Sequence, residues 1–120
     1  MDNATAAEAA LEVMAAAMAA QDADQFTSVY AEDARVWHNT SRTEQSKEEN
    51  RAFLAATMQQ FRSMEYRDIR RVATADGMVQ QHVLFAEMEN GHMLELPACL
   101  IVAMAGDEVA RIDEYFNAPT

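Results

Sequence analysis

The chain predicts an α+β domain, with helices first and strands afterwards. Three observations carry that prediction. Apolar side chains recur at helical spacing through most of the first half, behind two capping signals. The second half reads as long strand-like runs. Those runs break at three turn signals, Asp76-Gly77, Asn90-Gly91 and Gly106-Asp107.

Thr5-Ala6-Ala7-Glu8 has the form of a capping box. Leu11, Met14 and Met18 follow at helical spacing, with alanine between them, so a first helix is expected from about Ala6 to Ala20. Asp22 or Asp24 would cap a short second helix carrying Phe26, Val29 and Tyr30 and ending at Asp33. The strand to Asn39 comes next, and Asn39 to Gln45 reads as a polar loop. Ser46-Lys47-Glu48-Glu49 is a second capping box. Behind it, Phe53, Leu54, Thr57, Met58 and Phe61 would share one face of a third helix. Four strands are expected after that: Tyr66–Ala75, Met78–Glu89, His92–Met104 and Glu108–Phe116.

A length of 120 residues suits one domain, residues 1–120, with a core that needs no metal or disulfide staple. The 20 acidic residues outweigh nine basic ones and give a net charge of -11. That charge repels nucleic acid and anionic membrane surfaces, and no basic stripe offsets it. Cys99 is alone and sits in an apolar run, so it reads as a buried thiol in a reducing compartment. Met1 to Ala20 is rich in alanine but lacks a basic leader, and Glu8 and Glu12 interrupt it. No run approaches the ~20 apolar residues of a membrane span. A cytoplasmic protein is expected.

The most informative segment is Tyr30-Ala31-Glu32-Asp33-Ala34-Arg35-Val36-Trp37-His38-Asn39. Strand alternation puts Ala34, Val36 and His38 on one face and Arg35, Trp37 and Asn39 on the other. His38 thus ends a small apolar face, where an imidazole acts either as an acid–base group or as a structural hydrogen-bonding group. On the closing strand Ile112, Glu114 and Phe116 share a face. A carboxylate between two large apolar side chains needs a partner, and an imidazole across a cavity would supply one. In the strand after Gly77, counting back from Asn90-Gly91 turns Gln81, Val83 and Phe85 inward. A single bulge would turn His82 and Leu84 inward instead.

The order helix, helix, strand, helix and four strands, with Tyr30 to Ala34 and Val109 to Phe116, resembles the nuclear transport factor 2-like fold. Within that fold the chain resembles the SnoaL-like polyketide cyclases and the ketosteroid isomerases over nearly its whole length. The resemblance implies a cone-like curved, mixed or antiparallel sheet of the cystatin-like α+β kind. Three helices would lie on its concave face, and a homodimer would form through its convex face. Cys99 and Ile101 would then meet the partner, and Leu96, Ala98 and Leu100 would face the cavity. The resemblance also places His38 where the isomerases hold their aspartate base. Their oxyanion-hole tyrosine falls at Met14 and their protonated aspartate near Leu100, so that device does not carry over. Limonene epoxide hydrolases share the fold. Glu114 falls at the last aspartate of their triad, but its arginine and first aspartate fall at Gln81 and Val83 or at His82 and Leu84.

The expected catalytic constellation is therefore His38, Glu114 and His82. Tyr30, Phe53, Met58, Phe61, Gln81 and Leu100 are expected to bind the substrate, and Gln81 is the rival of His82 for holding a substrate oxygen. No metal is expected, because the three histidines are far apart and lack ligand spacing. No cofactor is expected, because no glycine-rich phosphate loop occurs. The ligand class is a small, mostly apolar, oxygenated molecule. The expected activity is a cofactor-independent isomerase, cyclase or hydratase. The alternatives are a non-catalytic dimeric ligand-binding module of the same fold and a dimerisation scaffold.

Overall fold

A computed structural model of the chain describes residues 2–117. Three helices cover one face of a six-stranded sheet. The elements are α1 (Asn3–Ala20), α2 (Ala23–Thr27), β1 (Tyr30–His38), β2 (Thr43–Ser46), α3 (Lys47–Met58), β3 (Phe61–Ala73), β4 (Gly77–Met88), β5 (Met93–Ala105) and β6 (Glu108–Phe116). The strand order is β2-β1-β6-β5-β4-β3. Strands β3 to β6 form an antiparallel meander, whereas β1 joins β6 in parallel and β2 closes the edge antiparallel to β1.

The long alanine helix starts earlier than expected. Asp2 is its N-cap and accepts from the Thr5 backbone N–H at 2.7 Å, so Thr5 lies in the first turn and caps nothing. Leu11, Met14, Ala17 and Met18 are buried beneath α1, which packs across β3 to β6. Gln21 ends the helix in the left-handed region, at φ 52°. Its side-chain amide donates to the carbonyls of Met58 and Phe61 at 2.8 and 2.9 Å, tying the end of α1 to the turn after α3.

Asp22 caps α2, but that helix stops at Thr27. Tyr30 already belongs to β1, contrary to expectation. The reason is long-range: the Val109 N–H donates to the Val29 carbonyl at 2.8 Å, which draws the chain into the sheet at once. The expected polar loop also contains a strand, since Thr43 to Ser46 pairs with Arg35 to His38. The second capping box forms as expected, with Ser46 and Glu49 exchanging hydrogen bonds. Phe61 opens β3 rather than extending α3.

Two pairing irregularities shape β3, one between Phe61 and Ser63 and one between Arg67 and Arg70. At the second, Asp68 adopts φ 56° and lets the strand bulge. Strand β4 itself pairs without a break with β5 from Gly77 to Glu87.

Candidate active site

Between the helices and the covered face of the sheet lies a cavity of about 160 Å3. Met14 and Met18 of α1, Phe26 of α2 and Leu54 of α3 form its apolar roof. Leu84, Leu96, Leu100 and Ile112 rise from the sheet below. Few polar side chains reach this space, and they come from four strands and α3.

The first polar pair comes from β1 and β6. Alternation along β1 buries Tyr30, Ala34, Val36 and His38, as expected for the last three. Parallel pairing sets His38 opposite Glu114, and the Asn39 N–H donates to the Glu114 carbonyl at 2.9 Å. Asn39 also clamps Phe116, donating to its carbonyl at 3.3 Å and accepting from its N–H at 3.0 Å. The strands are thereby held in register where the site needs them. Nε2 of His38 lies 3.1 Å from Oε1 of Glu114. The two groups are neighbours on adjoining strands, not partners across the cavity as the sequence suggested. Phe53 lies above the imidazole with ring centroids 5.4 Å apart, and is itself 45% exposed. It sits at the rim.

The second group comes from β3 and β4. Met78, Gln80, His82, Leu84 and Ala86 face the helices. Gln81 is exposed and turns to a groove on the open face with Asp68, Val83 and Cys99, so it does not line the cavity. The count from the Asn90-Gly91 turn failed because β4 is apolar on both faces, and no bulge in β4 was required to reverse it. His82 stacks on Tyr66 at a centroid distance of 3.9 Å and an interplanar angle of 24°. Its Nδ1 lies 2.9 Å from Nε2 of Gln80, and the Gln80 Oε1 accepts from Nε of Arg71 at 2.8 Å. Arg71 in turn pairs with Glu12 on α1. Burial lowers the basicity of His82 to a pKa of about 4, against an ordinary 6.5, and the nearby Glu114 carboxylate only partly opposes this.

The third group is Tyr30 with Asn50. The Tyr30 hydroxyl donates to Oδ1 of Asn50 at 2.8 Å, and Nδ2 of Asn50 donates to Gln45 at 2.9 Å. Burial first, and the Glu114 carboxylate second, raise the pKa of both Tyr30 and Tyr66 well above the ordinary tyrosine value. Both phenols therefore stay protonated and able to donate.

Of the residues singled out in the sequence, His38, Glu114, His82, Tyr30, Phe53, Phe61 and Leu100 line this one cavity. Met58 is buried in the core without lining it, and Gln81 lies outside it. Tyr66, Asn50 and Gln80 were missed. Tyr66 carried a usable signal, since Met64 and Tyr66 alternate with polar residues at the start of β3. Asn50 and Gln80 carried none, because polar residues on an amphipathic helix and in a strand read first as solvated.

The fold is shared with solved proteins of low identity. An NTF2-like protein from Anabaena variabilis ATCC 29413 superposes with a TM-score of 0.84 at 16% identity, over 96% of this chain and 89% of that one. BvnE pinacolase from Penicillium brevicompactum gives 0.80 at 10% identity, over 94% and 86%. A protein with a ketosteroid isomerase-like fold from Catenulispora acidiphila DSM 44928, solved with trimethylamine, gives 0.78 at 13% identity, over 88% and 83%. No curated protein matches the sequence significantly. The family model for the SnoaL-like domain matches residues 11–112. With that match spanning most of its length, the chain belongs to the SnoaL-like domain family.

Proposed function

We propose that the protein is a cofactor-independent acid–base catalyst of the isomerase, cyclase or hydratase kind, acting on a small, mostly apolar, oxygenated molecule. One observation carries this reading: an imidazole and a carboxylate lie 3.1 Å apart at the wall of a mostly apolar cavity. A carboxylate only accepts, so it favours the neutral His38 tautomer with the proton on Nε2. The lone pair is then on Nδ1, and His38 takes a proton there from a carbon next to a carbonyl, or from a water. Glu114 stabilises the imidazolium that results. His82 and Tyr66 hold the substrate oxygen on which negative charge develops. The proton then returns to a different carbon, or to the product oxygen. One structural neighbour is named a pinacolase, so the fold accommodates an enzyme.

The second reading is a non-catalytic, dimeric ligand-binding module. The open face of the sheet favours a partner: Ile69, Val72, Met93, Ile101 and Tyr115 are exposed there or at its margins. Under either reading the proposed assembly is a homodimer through that face, and the proposed compartment is the cytoplasm.

Exchange of carbon-bound hydrogen separates the two. Cyclohexanone and cyclohexenone in D2O, followed by proton NMR, should lose their α-hydrogens faster with the wild-type protein than with His38→Ala. A His38→Ala variant that folds and exchanges at the wild-type rate would remove His38 as the base. No exchange above solvent for any small ketone, with binding retained, would leave the binding module.

A further inference from the structure

A chain of side chains runs from α1 to the cavity: Glu12, Arg71, Gln80, His82. Its order has a chemical consequence. Arginine only donates, so the Gln80 atom that faces Arg71 Nε must be the amide oxygen. The other end of the same amide, its NH2, is then the atom 2.9 Å from His82 Nδ1. An amide nitrogen only donates, so His82 Nδ1 must be the unprotonated nitrogen of the ring. The remaining proton of the neutral imidazole sits on Nε2. Gln80 is fully buried and its two partners sit on opposite ends, so the amide cannot turn over without breaking both hydrogen bonds. Tyr66 stacks on the ring and restrains its plane. Among the described residues, no protein group accepts from His82 Nε2.

We infer that Arg71 and Gln80 are positioning residues that lock His82 as the neutral Nε2–H tautomer, so that the cavity presents a fixed donor to a ligand carrying an acceptor oxygen. The ligand group at that point is a carbonyl, an ether oxygen or an enolate. A group that only donates finds no partner there. The cavity volume, about 160 Å3, accommodates one ring carrying that oxygen. This inference rests on the reading of the cavity as a ligand site, but its test does not depend on turnover.

The test is the side-chain 15N spectrum of the full chain near neutral pH. With only three histidines, His82 is assigned by its loss in His82→Gln. The expected wild-type spectrum shows Nδ1 of His82 as pyridine-type and Nε2 as pyrrole-type. Cyclohexanone should shift the Nε2–H resonance, and methylenecyclohexane, the same shape without the oxygen, should leave it in place. Gln80→Glu offers the ring an acceptor in place of a donor, so Nδ1 should become pyrrole-type. Arg71→Met frees the amide to turn and should yield a mixture of tautomers. A protonated Nδ1 in the wild type would overturn the lock, and needs no variant to fold. So would a pure Nε2–H state persisting in Gln80→Glu or Arg71→Met. The expected tautomer without any ketone exchange would uphold the lock and remove only the catalytic reading. A wrong tautomer with His38-dependent exchange would do the reverse.

Discussion

His38 and Glu114 are register partners in the parallel β1–β6 pairing, and their side chains meet 3.1 Å apart at the cavity wall. The backbone, not a chance rotamer, brings them together. Glu114→Gln keeps the shape and removes the charge that steadies a protonated His38. Turnover of any exchangeable ketone should fall about tenfold or more, with less effect than loss of the base itself, which costs about 10²–10⁴. The variant should fold, because Glu114 keeps some contact with solvent. Equal rates for wild type and Glu114→Gln would detach the carboxylate from the chemistry.

His82 makes stability depend on pH in a defined window. Its folded pKa is about 4 and its ordinary value 6.5, so between these limits the unfolded chain binds the extra proton. Stability therefore rises with pH across that window, and is lost as pH falls from about 6.5 towards 4. The full effect is on the order of 3 kcal/mol. Urea midpoints measured at half-unit steps should fall on acidification, and His82→Gln should flatten that slope. An unchanged slope in the variant would mean that His82 is not the group responsible.

The hairpins were legible in the sequence because their turns are local. Asp76-Gly77, Asn90-Gly91 and Gly106-Asp107 each connect the strands expected of them. The Ser46–Glu49 capping box is equally local. What the sequence left open depends on distant partners. The parallel docking of β1 on β6 makes His38 and Glu114 neighbours, and no local pattern encodes it. The facing of β4 was ambiguous because Val79, Val83 and Phe85 give its outer side an apolar pattern as good as the inner one. Arg67 lies over the Phe85 ring on that outer side, 4.2 Å from its centroid, and covers a half-buried aromatic.

Exposed apolar side chains on the outer face have a testable consequence. Ile101 is 41% exposed and pairs in register with Val79 on one side and Asp113 on the other. Ile101→Glu adds a charge at the middle of the proposed dimer face, on the side of the sheet away from the cavity. Sedimentation equilibrium should show a dimer for the wild type and a shift toward monomer for the variant, with cyclohexanone binding retained. A monomeric wild type at high micromolar concentration would end the dimer proposal.

Tyr30 is 1% exposed, and its hydroxyl donates to Asn50, which is 2% exposed. Tyr30→Phe preserves the packing of the ring and leaves Oδ1 of Asn50 without its donor. Leaving a buried acceptor unpaired costs about 1–3 kcal/mol. The unfolding midpoint in urea should drop accordingly, with m unchanged. Tyr30→Phe with Asn50→Leu should recover part of the loss, because removing both partners is cheaper than removing one. A double variant that loses the sum of the two single effects would mean that the pair is not coupled.

Gly77 opens β4 at a point where the backbone of β5 comes close. A Cβ there would lie 2.2 Å from the Val102 carbonyl oxygen and 3.1 Å from its carbon. Both are backbone atoms in the middle of the sheet, and Val102 is buried, so neither moves aside cheaply. The usual gain from replacing glycine by alanine, a smaller loss of chain entropy, is outweighed by this clash. Gly77→Ala should therefore destabilise the fold by about 1–3 kcal/mol, the range for forced overpacking. Gly91→Ala is the contrasting control: nothing lies within 4 Å of its added methyl, and its cost comes only from a φ of 87°. If Gly77→Ala unfolds at the wild-type urea concentration, the close approach of β4 to Val102 is wrong.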